Sequence, residues 1–67
     1  MTLKQFISTM DIYEQIYTIV KIKEENNIEI YNGIAVDILK EEKYSWLQEK
    51  TILVWKIIDD RTLELCI

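Results

Sequence analysis

Apolar and polar positions recur along this chain with two different periods, and the changes of period mark its elements. Leu3, Phe6, Ile7 and Met10 follow at steps of three, one and three, which gathers them on one face of a helix. Thr2 and Gln5 stand at the capping-box positions before that face, where each side chain can satisfy a backbone amide of the first turn. A short helix is therefore predicted from about Leu3 to Met10. The pattern changes after Asp11. From Gln15 to Lys23 the residues are β-branched or aromatic, with Ile16, Tyr17, Thr18, Ile19, Val20 and Ile22 predicting a strand. Ile28-Glu29-Ile30-Tyr31 alternates as a second strand. Glu24-Glu25-Asn26-Asn27 is a polar turn that joins the two into a hairpin.

Asn32-Gly33 is a turn dipeptide. It can close a second hairpin into Ile34-Ala35-Val36 or lead an extended link into a helix. Asp37 is a candidate N-cap, and the Lys-, Glu- and Leu-rich stretch from Ile38 to Glu49 predicts a second helix with Leu39, Lys43, Trp46 and Leu47 on one stripe. Thr51 to Ile58 is the strongest strand signal. It is apolar on both faces, Leu53/Trp55/Ile57 and Ile52/Val54/Ile58, with Lys56 as its one charge. Asp59-Asp60-Arg61 turns the chain, and Thr62 to Ile67 alternates with Leu63, Leu65 and Ile67 inward. The expected fold is one small α+β domain over residues 1–67. Its order is α-β-β-α-β-β, with a mainly antiparallel four-stranded sheet and the helices on one face. Strand order is left open.

Composition narrows the chemistry. Hydrophobic residues make up 49% of the 67 and charged residues 30%, as in a folded chain rather than a disordered one. The net charge is −4, which disfavours direct nucleic-acid binding. With no histidine and one cysteine, neither a zinc site nor a disulfide framework can form within the chain, and a single glycine excludes a phosphate-cradling loop. No signal layout opens the sequence, and its longest apolar run is Ile52-Leu53-Val54-Trp55; a cytoplasmic protein with no membrane contact is expected. Ser8 and Ser45 lack a base. The adjacent carboxylates Glu24/Glu25, Glu41/Glu42 and Asp59/Asp60 read as solvated turn and helix-exterior residues. No catalytic, cofactor-binding or metal residue is assigned and no cofactor is expected. The chain reads as a non-enzyme, and Trp46 and Trp55 are expected in the core.

The two-sided apolarity of the strands points to contact with protein. If Thr18/Val20/Ile22, Ile28/Ile30 and Leu63/Leu65/Ile67 face the helices, the other sheet face carries Tyr17, Ile19, Tyr31, Val54 and Cys66. Two helices cannot cover it as well, so this stripe is a candidate contact or homodimer surface. Glu29 and Glu64 join the candidates as carboxylates that can mimic phosphates toward a basic partner.

Thr2-Leu3-Lys4-Gln5-Phe6-Ile7, then Ile28-Glu29-Ile30-Tyr31-Asn32-Gly33, Asp37-Ile38 and Leu63-Glu64-Leu65-Cys66-Ile67 together resemble a group of short proteins found in phages and mobile elements of low-GC Gram-positive gut bacteria. The chain departs from that group at Leu39, where proline is expected, and in a longer second helical segment. The resemblance carries no functional residues. It implies a phage or mobile-element setting, and with it an anti-defence inhibitor, such as an anti-CRISPR, that occupies the surface of a host defence complex. Two alternatives stand beside it: an oligomer that sequesters a nucleotide signal by stacking Tyr and Trp on the base, and a structural or regulatory subunit.

Overall fold

The computed structural model describes residues 1–67. Four strands, β1 (Ile19–Lys23), β2 (Glu29–Ile34), β3 (Val54–Asp59) and β4 (Thr62–Cys66), form one sheet in the order β2-β1-β4-β3. Both hairpins are antiparallel, but β1 and β4 run parallel at the centre. The sheet is thus mixed, where a mainly antiparallel one was expected. The parallel pair is closed by the helical connection between β2 and β3. Burial rationalises the centre, because β1 and β4 contribute Val20, Ile22 and Leu65, all fully buried.

The helical layer differs from expectation in three places. α1 (Leu3–Ser8) starts where predicted and ends two residues before Met10, with Thr2 and Gln5 making both bonds of the capping box and Leu3 and Ile7 buried. A second helix, α2 (Ile12–Tyr17), stands where the strand was to begin. Its start is another capping box: the Glu14 amide donates to Asp11 Oδ1 at 2.9 Å and the Asp11 amide to Glu14 Oε1 at 3.0 Å. The β-branched and aromatic side chains of this segment favour a strand intrinsically, but the cap fixes the first turn as helix. β1 therefore begins only at Ile19.

The long helix from Ile38 to Glu49 is broken. α3 (Ala35–Lys40) starts directly from β2 with Ile34 at its N-cap and no side-chain cap, so Asp37 lies within its first turn. The backbone is extended at Glu41 (φ −93°, ψ 125°), a 3-10 turn follows over Glu42–Tyr44, and α4 (Ser45–Gln48) ends the connection. The break has a reason in phase. Continued from Ile38 without interruption, the buried face would pass through Glu42, Ser45 and Glu49. Resetting at Glu41 brings Tyr44 and Leu47 to the core instead.

Gly33 is not in a turn. It sits in β2 opposite Val20 and has no positive φ. The strand after it is short because α3 begins at once. The turn residue with a left-handed backbone is Asn27 (φ 65°), between β1 and β2. Leu3, Ile7, Val20, Ile22, Tyr31, Ala35, Ile38, Leu47 and Leu65 form the core between one sheet face and the helices. The ends are tied in: the Leu3 amide donates to Lys50 O at 2.8 Å and the Ile52 amide to Met1 O at 3.0 Å.

Candidate functional site

The register of the sheet fixes which side chains share a face. Tyr31, Ile22, Leu65 and Trp55 form one row across the four strands, and Gly33, Val20, Leu63 and Ile57 form the next. Since Val20, Ile22, Tyr31 and Leu65 are core residues, both rows look toward the helices. The open face is consequently charged: Asn32, Lys21, Glu64 and Lys56 make one row across it. Glu64 takes Lys23 Nζ and Lys56 Nζ at 3.5 Å each. Partial desolvation on the sheet pushes its carboxyl up, but the two ammonium groups prevail and hold it below its ordinary value.

Of the apolar stripe expected on this face, Val54 and Cys66 are paired across β3 and β4 and Ile19 lies on β1, but Tyr17 and Tyr31 are not on it. Tyr31, expected there, is buried on the helix side. Its hydroxyl donates to Ile34 O at 2.8 Å, and its ring meets Tyr44 edge-on at 4.9 Å. Burial, with Asp37, Tyr44 and Glu41 nearby, pushes its pKa up to about 12. A bulge between Ile22 and Lys23 is the cause: Ile22 faces Tyr31 while Lys23 faces Glu29, so alternation along β2 slips by one residue and Tyr31 joins Ile30 on the core side. Tyr17 belongs to α2, where Arg61 lies over its ring at 5.9 Å and Arg61 Nε donates to its carbonyl at 3.2 Å. Ile19 and Cys66 are half-buried on the open face, and Glu29 is exposed at the start of β2. Glu64 is engaged by two lysines and is not a free phosphate mimic. Of the seven candidates, only Val54 lies on the apolar surface that the fold leaves uncovered at the sheet edge.

That surface is β3. Every one of its residues is exposed. Trp55 and Ile57 point to the helix side, yet the helices stop short of them. Phe6 reaches across, its ring 6.2 Å from that of Trp55. Trp55 is 54% exposed and Ile57 66%, and Trp46 is also half-exposed, so neither tryptophan is a core residue. Leu53, Val54 and Ile58 extend the patch. β3 is also an edge strand, with its outer backbone edge unpaired. The sequence did signal this segment through its two apolar faces, but that signal belongs equally to a central strand.

Other surfaces are less developed. α2 buries none of its residues and exposes Ile12, Tyr13, Ile16 and Tyr17. An open cleft of about 390 Å³ lies between Trp46, Ile67, Lys50 and the hairpin-turn residues Glu24 and Glu25. A smaller one, about 200 Å³, runs over Lys23, Lys56, Glu64 and Cys66. The six carboxylates of the adjacent pairs are all exposed, and no group of three or more Cys, Asp or Glu side chains is placed to hold a metal ion. No helix is long and apolar enough to cross a membrane. Comparison with protein-family models, with curated proteins and with solved structures returns no match.

Proposed function

We propose that the chain is a protein-binding module that acts by occupying a partner surface, with β3 and the adjoining Phe6 as its contact. One observation carries this reading: a strand whose sequence is apolar on both faces stands at the sheet edge with every residue exposed. Apolar pattern and burial disagree along the whole of this strand, and conflicts of this kind gather at functional surfaces. An exposed edge is also a ready template for a further strand.

Nucleotide sequestration is the weaker reading. The cleft beside the exposed Trp46 is walled by Glu24 and Glu25 against the single cation Lys50, which disfavours a phosphate-bearing ligand. The anti-defence role implied by the family resemblance is one version of the binding reading, with a host defence complex as the partner.

The test is photocrosslinking in cells that make the protein naturally. A photoreactive residue at Ile57 is expected to give a discrete protein adduct that the second substitution Trp55→Glu abolishes. The same residue at Ser8, on the exposed side of α1, is expected to give none. Equal adducts from both positions, or none from Ile57, would overturn the reading.

A further inference from the structure

We infer that the protein bound by the β3 edge is a second copy of this chain. The two copies join by antiparallel pairing of their β3 strands about a twofold axis through Trp55. This rests on the binding reading above and names its partner.

Three features support a second copy. The first is pattern. Opposed residues of antiparallel strands share a face, so a twofold through Trp55 sets it against its own copy. Alternation from Trp55 and Ile57 puts Leu53 on the helix side too, and it then meets Ile57 of the second copy. On the open face Val54 meets Lys56 of the second copy. A twofold at Lys56 would oppose two like charges. A twofold at Ile57 would set Trp55 against Asp59 and run through the bulge between Ile57 and Asp59. The Trp55 register pairs Trp55 with its copy and Leu53 with Ile57, and it keeps the two Lys56 side chains apart.

The second feature is charge. A lysine in an edge strand ordinarily guards it against pairing. Here Lys56 Nζ turns back to Glu64 at 3.5 Å, so the one charge among residues 53–58 is engaged within its own sheet.

The third is area. Leu53, Val54, Trp55, Ile57 and Ile58 are 45–66% exposed. Together they leave on the order of 500 Å² of apolar surface, at the upper end for a monomer. Phe6 adjoins this patch, and a pairing through it is smaller than the roughly 800 Å² per partner of a standard interface. Pairing would make one eight-stranded sheet in which the two Trp55–Ile57 rows, uncovered in each copy alone, lie side by side.

Sedimentation of the untagged chain across a dilution series tests this. The expected mass at high concentration is twice the 8.1 kDa of one chain. Trp55→Glu and Ile57→Lys, each checked for folding by circular dichroism, are expected to sediment as single chains. In a Cys66→Ser background, Trp55→Cys is expected to form an intermolecular disulfide on mild oxidation, and Tyr13→Cys on α2 is not. A single chain at every concentration overturns the inference, as does a dimer that both charge variants leave intact or one that crosslinks equally from position 13. The photocrosslinking above separates the two claims. Foreign adducts on a monomeric chain remove the second copy and keep the binding reading; no adducts remove both.

Discussion

Gly33→Ala gives a sharp test of the packing, because the sequence and the structure give that glycine different reasons to exist. If it served a turn, its cost on substitution would come from a left-handed backbone. The structure places it in β2 without a positive φ. A Cβ there would lie 3.0 Å from Tyr31 Oη and 3.3 Å from Cζ. Glycine is present because the Tyr31 ring lies across its own strand. The ring has little room to yield, held by its hydroxyl bond to Ile34 O and by Tyr44. Moving it strains or breaks a buried hydrogen bond worth about 1 kcal/mol and overpacks the core by roughly 1–3 kcal/mol. Against this, alanine gains about 0.5–1 kcal/mol by restricting the unfolded chain. The net expectation is a loss of about 1–3 kcal/mol, or roughly 5–25 °C in Tm for a domain of this size. Urea unfolding followed by far-ultraviolet circular dichroism measures it. In a Tyr31→Phe background the closest contact is gone, and Gly33→Ala is expected to cost less than about 0.5 kcal/mol. The double-mutant cycle should then show a coupling of about 1 kcal/mol. Equal costs in both backgrounds, or a stabilising Gly33→Ala in the parent chain, would refute the reasoning.

Three further outcomes follow from named groups. Tyr31 holds its proton to about pH 12 in the fold, whereas an unfolded tyrosine loses it near about pH 10. Between those values the folded state binds more protons, so stability should fall as pH rises through the window. Tyr31→Phe should flatten that part of the pH–stability curve. Glu64 is held below its ordinary pKa, so its contribution is present above the carboxylate range and lost as pH falls through it. The parent chain should therefore lose more stability on acidification than Glu64→Gln, and added salt should narrow the difference. Finally, α2 has a capping box but no buried side chain, so native-state hydrogen exchange should find its amides opening well below the global free energy that protects Val20 and Ile22. Asp11→Ala should speed exchange in α2 by about 1 kcal/mol and leave β1 unchanged; equal protection of α2 and β1 would contradict this.

What could be read from the sequence was local. Thr2 and Gln5 announced α1, and the inward placement of Val20, Ile22 and Leu65 followed from alternation within each strand. The Asp11–Glu14 box carried the same kind of signal as Thr2–Gln5, but the β-branched and aromatic side chains around it pointed to a strand. Two failures were of phase. A bulge opposite Ile22 and Lys23 moved Tyr31 from the outer face to the core, and a break at Glu41 re-aimed Tyr44 and Leu47 inward. Neither leaves a distinct mark in residue type. The parallel pairing of β1 with β4 joins segments about forty residues apart, and no local pattern specifies it. That pairing decides the candidate site. It puts β3 at the edge and leaves a strand with two apolar faces exposed. Val54 was legible as a contact residue through its place in an apolar strand. Trp55 and Ile57 were legible as apolar but were assigned inward, because the sequence does not reveal how far the helices reach.

The central claim is that β3 is the surface this chain uses, and that a second copy occupies it. Backbone amide NMR of the uniformly labelled chain across a dilution series tests this most directly. Concentration-dependent shifts are expected at Leu53–Ile58 and Phe6, with Lys21 and Asn32 on the open face and Ile12–Tyr17 on α2 unmoved. Shifts centred on α2 or on the open face, or spectra that do not change with concentration, would contradict it.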